Sequence, residues 1–135
     1  MIHSKDLNFS FSGLKTSVLY LVRDLKVPLD SVRSEIAHEA QEAIVDVLIS
    51  KTKKAIEQYQ PKSVLLAGGV SANKLLREKL KALSFKFKIP AFIPPMQYTT
   101  DNAAMIAMAG YYKIKFQKSK IKSENIEANA NWEIV

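Results

Sequence analysis

The sequence contains no cysteine. Disulfide frameworks, zinc ribbons and thiol catalysis are therefore excluded. Histidine is almost as scarce: His3 and His38 are the only two, and they form no paired-histidine metal motif. No apolar run is long enough to span a bilayer. The first residues, Met1 to Asp6, lack the apolar stretch of a signal peptide. No G-x-S-x-G nucleophile elbow and no P-loop is present. These absences fit a cytoplasmic chain with no membrane partner, and they give no support to hydrolase or P-loop chemistry.

Acidic residues are outnumbered as well. There are 13 against 20 Lys and Arg, giving a net charge of +7. A basic surface makes a polyanion such as nucleic acid a candidate partner. On charge alone, a solvated lysine-rich surface is the simpler reading. The charge is uneven, however. Tyr111 to Lys122 holds five lysines interleaved with aromatic residues and no acid, a pattern that suits stacking on bases. With 135 residues and 47% hydrophobic content, the chain has enough material for one ordinary domain with a core.

Leu7 to Ser12 alternates apolar and polar residues, which predicts a strand ended by Gly13. Leu14, Val18, Leu21, Val22 and Leu25 recur at helical spacing up to Pro28. Asp30 or Ser31 is placed to cap the next helix. That helix carries Val32, Ile36, Ala40, Ala43, Ile44, Val47, Leu48, Ala55, Ile56 and Tyr59 along one stripe and stops at Pro61. Lys51, Lys53 and Lys54 fall toward its C-terminal end, where the helix dipole favours cations. His38 belongs to this helix as a packing or surface residue.

Ser63 to Ala67 reads as a short strand and Gly68-Gly69 as a turn. Ser71 is placed to cap a helix from Ala72 to Leu83, with Leu75, Leu76, Leu80 and Leu83 on its buried side. Ala91 to Ile93 reads as a further strand, bracketed by Pro90 and by Pro94-Pro95. A last helix, from about Asn102 to Lys115, is rich in alanine. The tail to Val135 is polar until Trp132, which is expected to anchor it. Strands alternating with helices predict a mainly parallel sheet covered by helices. In such sheets ligands bind beyond the C-terminal strand ends. The Gly68-Gly69 turn and the loop from Pro94 to Asp101 both lie there and could face one ligand.

Glycines at 68 and 69 let the backbone bend and approach a ligand closely, beside a helix N-terminus suited to anions. The Asn73 amide offers both a donor and an acceptor. Read by position alone, Asn73 and Asp101 are more simply helix caps. The alternative for Asp101 is a hard oxygen ligand for a divalent metal, with the Thr99 and Thr100 hydroxyls in support.

Four segments together resemble one family: Asn8 to Thr16 (NFSFSGLKT), Gln41 to Leu48 (QEAIVDVL), Ala67 to Asn73 (AGGVSAN) and Thr100 to Ala107 (TDNAAMIA). In this order and spacing they are similar to the C-terminal part of the TsaD family, the tRNA threonylcarbamoyladenosine synthases. An older label for that family is sialoglycoprotease, but the sequence has no protease constellation. The resemblance implies an α/β fold: the C-terminal lobe of an actin-like (ASKHA, ribonuclease H-like) ATPase, a mixed sheet flanked by helices. It would occupy residues 1–116, with 117–135 as a polar tail.

The resemblance also implies transfer of a threonylcarbamoyl group from threonylcarbamoyl-AMP to N6 of the adenosine beside the anticodon. Gly68, Gly69 and Asn73 would border the substrate or nucleotide, ATP or threonylcarbamoyl-AMP. Asp101 would be one ligand of a divalent metal: iron, zinc or magnesium. Implied partners are an N-terminal lobe or its equivalent, tRNA, and other proteins of the pathway.

Two departures qualify that carry-over. The family's histidine pair, spaced four apart in the first lobe, is absent. His38-Glu39-Ala40 replaces the small polar and aromatic residues usual before Gln41. The chain is thus expected to hold half of a site, to be inactive alone and to bind divalent metal weakly. The alternative is a non-catalytic nucleotide-binding or scaffold half-domain that pairs with a partner through exposed apolar surface.

Overall fold

The structure, a computed structural model, describes Ser4 and residues 6–117. The tail beyond Gln117, with Trp132 and Lys118, Lys120 and Lys122, lies outside the described residues. The chain divides into two units, Met1–Thr99 and Thr100–Val135, each described by itself. The first holds α1 (Ser12–Arg23), α2 (Leu29–Tyr59), β1 (Val64–Leu65), α3 (Lys74–Phe87) and β2 (Ala91–Phe92). Two 3₁₀ turns, Gly69–Ala72 and Met96–Tyr98, follow the strands. The second unit holds α4 (Ala103–Gln117).

The α2 helix is set by its apolar periodicity and bounded by proline. Pro28 occupies the N-cap without a side-chain hydrogen bond, so neither Asp30 nor Ser31 caps it. The Ser31 hydroxyl instead donates back to the Pro28 carbonyl. At the other end Gln60 turns left-handed, with φ 46°, and Pro61 prevents continuation. The core lies where α3 crosses the second half of α2. Ile56, Leu80 and Leu83 are buried together, with Ile49, Val64, Leu66, Phe87, Ile89 and Ile93 packed against them. The leucines recur at helical spacing, so one face of α3 is apolar from end to end. Val45 of α2 is also buried, although it falls outside the predicted stripe.

β1 and β2 pair in parallel, Val64 with Ala91 and Leu65 with Phe92. Alternation along the strand turns Val64 and Leu66 toward the helices. Leu65 and Phe92, opposite each other, are 73% and 57% exposed. Among the described residues the sheet has these two strands only, so the expected mixed sheet is replaced by one parallel pair.

The predicted strand Leu7 to Ser12 is irregular, and Gly13 lies inside the first turn of α1. Alternation gives a strand only where a neighbouring edge accepts its hydrogen bonds, and among the described residues β1 pairs with β2 alone. Leu7 and Phe9 instead line a groove beside Tyr59 and Leu65.

Just before this segment lies a buried charge. Lys51 is 1% exposed, and its ammonium donates to the Ser4 hydroxyl at 2.5 Å, the Asp6 carbonyl at 2.5 Å and the Asp6 carboxylate at 3.0 Å. Three acceptors satisfy its three donors. The expectation that Lys51 serves the helix dipole is therefore corrected: the last turn of α2 contains no basic residue. The ammonium holds Asp6 ionised, lowering its carboxyl to about 2.

Candidate functional site

Parallel pairing puts the C-terminal ends of β1 and β2 on the same side of the sheet, and both chains turn there. After β1 the backbone passes through Gly68 at φ 82° and ψ 172°, a region open essentially to glycine alone. Gly69 has no such conformation, and a Cβ built on it would meet nothing within 4 Å. The fold itself thus demands one glycine of the pair. Gly69 then starts the 3₁₀ turn, closed by hydrogen bonds from Ser71 N–H to Gly68 and from Asn73 N–H to Val70.

That turn moves the start of α3. Ser71 is not its cap: the residue is fully buried, and its hydroxyl has no hydrogen-bond partner among the described residues. The cap is Asn73, whose Oδ1 accepts from the Leu76 N–H at 2.9 Å. Its Nδ2 donates to Gln41 Oε1 of α2 at 2.8 Å. Asn73 is thus both helix cap and interhelical link. Sequence reading placed Gln41 in a family segment without a role, because its partner lies 32 residues away.

Arg77, one turn into α3, joins the two strand-end loops. Its Nε donates to the Ser71 carbonyl at 2.5 Å, and its terminal nitrogen donates to the Pro94 carbonyl at 2.7 Å. A planar guanidinium offers donors in a fixed fork, so both loops are held at one spacing. Pro94 follows β2, and Pro95 leads into the second 3₁₀ turn. That turn consumes Thr99: its hydroxyl donates to the Met96 carbonyl at 2.8 Å, and the residue is buried. Thr99 is therefore structural, contrary to the expected supporting hydroxyl.

Farther along α3, Lys79 bridges Glu42 and Asp46 of α2. The Asp46 and Glu42 carboxylates raise its pKa above the ordinary lysine value. Its charge is committed there. His38 is exposed on α2.

Asp101 belongs to the second unit, immediately before α4. It is exposed, and it does not cap the helix. Asn102 does so, its Oδ1 accepting from the Met105 N–H at 3.0 Å. Among the described residues no group of three or more His, Cys, Asp or Glu residues is placed to hold a metal. A lone carboxylate does not fit a metal centre by itself. Along α4, Tyr112 and Phe116 stack at 5.6 Å, and the Lys115 ammonium lies 5.5 Å from the Tyr111 ring centre.

The family model for TsaD, tRNA N6-adenosine threonylcarbamoyltransferase, matches residues 1–108. The chain belongs to the TsaD family. Among curated TsaD relatives, the tRNA N6-adenosine threonylcarbamoyltransferase of Thermosipho africanus is 48% identical over 136 residues, which cover 99% of this chain and 40% of the relative. The protein of the same name from Thermosipho melanesiensis is 51% identical over 109 residues, 80% of this chain and 32% of its own length. That from Francisella philomiragia is 42% identical over 129 residues, 96% and 38% respectively. The chain thus spans two fifths or less of these TsaD relatives. No helix among the described residues is long and apolar enough to cross a membrane.

Proposed function

We propose that this chain is the C-terminal lobe of an actin-like tRNA N6-adenosine threonylcarbamoyltransferase. Its strand-end loops form one wall of the site for ATP or threonylcarbamoyl-AMP. The observation that carries this reading is the cradle after β1, which runs from Gly68 to the Asn73 amide and is tied to the β2 loop through Arg77. Gly68 shapes the turn, Gly69 leaves room for a ligand, and Asn73 presents a carboxamide beside it.

Activity comes from positioning. The adenosine N6 amine of tRNA attacks the activated carbonyl of threonylcarbamoyl-AMP, a C–N bond forms as the bond to AMP breaks, and the amine proton is lost. Asp101 is proposed as one ligand of a divalent metal, because its carboxylate is not used as a cap. The remaining ligands belong to the part of the relatives that this chain does not span. With one carboxylate, the chain binds metal weakly. Lysines and rings on α4 suit contact with tRNA, and the N-terminal lobe and other proteins of the pathway are its partners.

The test is transfer of labelled threonine to tRNA. The chain alone gives no turnover. Fused behind the N-terminal part of the Thermosipho africanus relative, it transfers label, and Asn73→Ala removes most of that activity. Robust turnover by the chain alone, or an inactive but folded fusion, overturns the reading.

A further inference from the structure

We propose that the C-terminal end of α3 is a contact surface for RNA, on which Phe85 stacks against an unpaired base while Lys81, Lys86 and Lys88 face the flanking phosphates. This goes beyond the reading above. The surface lies at the opposite end of the 14-residue helix from Asn73, roughly 20 Å along its axis, and it requires no transfer chemistry.

Phe85 is 87% exposed, more than any other large apolar side chain described. Leu83 and Phe87, two residues to either side, pack into the core, and a helix turns the residue between them to the opposite face. The ring lines a groove of about 560 Å³ together with Lys81, Lys88, Ile89 and Pro90.

The charge around it is of one sign. From Lys79 to Thr100 the sequence has no acidic residue. Lys79 is committed to Glu42 and Asp46, but Lys81, Lys86 and Lys88 are exposed and form no ion pair among the described residues. Lys86, in the last turn, also suits the helix dipole. Lys88 is not explained so simply. It is the C-cap of α3 at φ 55°, in the left-handed region where glycine is the default. Glycine would relieve the backbone there; lysine instead places an ammonium at the groove.

An exposed ring flanked by unpaired cations matches single-stranded nucleic acid, because any base can stack on the ring and the cations track the backbone. One ring offers too little apolar area to hold a lipid surface, which takes a whole helix face. An acidic peptide would use the lysines and leave the ring bare.

The experiment follows fluorescence anisotropy of two labelled RNAs titrated with the full chain. One is a tRNA anticodon stem-loop, whose loop is unpaired, and the other a fully paired duplex with the same number of phosphates. Thermal melts monitor folding. Wild type is expected to bind the stem-loop more tightly. Phe85→Ala is expected to weaken the stem-loop about tenfold, the loss of one stacked base, to leave the duplex unchanged and to melt like wild type. Lys88→Gly is expected to melt at or above wild type, and to lower the slope of log affinity against log salt by about 0.7, the share of one phosphate contact. Unchanged stem-loop affinity in Phe85→Ala, an equal loss on both RNAs, or an unchanged salt slope in Lys88→Gly overturns the proposal. So does a wild type that binds neither RNA, or that binds anionic vesicles or polyglutamate in their place. The expected losses alongside an inactive fusion would sink the transferase reading and support this one.

Discussion

Asn73 combines a folding role with a proposed ligand role, and substitution can separate them. Asn73→Ala deletes the cap of α3, worth about 1 kcal/mol, and the bond to Gln41, worth about another 1 kcal/mol. Together these lower stability by roughly 2 kcal/mol. For a unit of this size each kcal/mol moves the melting temperature by about 4–8 °C, so the variant should melt roughly 8–16 °C below wild type.

Asn73→Asp behaves differently. A carboxylate oxygen still accepts from the Leu76 N–H, and its charge at a helix N-terminus contributes about 0.3–1 kcal/mol. Gln41 can turn its amide over and donate to the new carboxylate. This variant should stay within about 0.5 kcal/mol of wild type. Far-UV circular dichroism during thermal and urea unfolding of the chain measures both. Equal stability of the Ala and Asp variants would refute the cap geometry. Loss of nucleotide binding in Asn73→Asp, at wild-type stability, is the expected sign of the second role.

Three further outcomes follow from the same geometry. Gly68→Ala should cost about 1–3 kcal/mol because its backbone is held at φ 82°, whereas Gly69→Ala should leave the urea midpoint nearly unchanged; equal losses would contradict this division of labour. The Asp6 carboxyl lies at about 2 in the folded chain, against an ordinary 3.8. Its contribution is therefore complete above that ordinary value and disappears as pH falls through about 2, so melts across this range should show a slope that Asp6→Asn abolishes. Leu80→Ala, in the centre of the buried cluster, should cost about 2–5 kcal/mol by urea unfolding.

The parts of the fold legible in the sequence were those with local causes. Apolar spacing locates α2 and α3, and proline marks the N-terminal end of α2 and the residue beyond its C-terminal cap. The two parallel strands also fall inside their predicted runs. What was not legible depends on distant partners. Lys51 reads as a cation placed for the helix dipole until Asp6, 45 residues earlier, closes on it. Ser71 and Asn73 are both good capping residues; the 3₁₀ turn decides between them by starting α3 later. Leu7 to Ser12 has the alternation of a strand but no edge to join among the described residues.

The fork of Arg77 also bears on affinity. A ligand that must first gather two independent loops binds only the fraction of molecules in which they happen to be aligned, and its apparent affinity falls by that fraction. With both loops fastened to one guanidinium, alignment is settled when the chain folds. A ligand of the proposed site would then meet two loops already held at one spacing, and little of its interaction energy would go into ordering them.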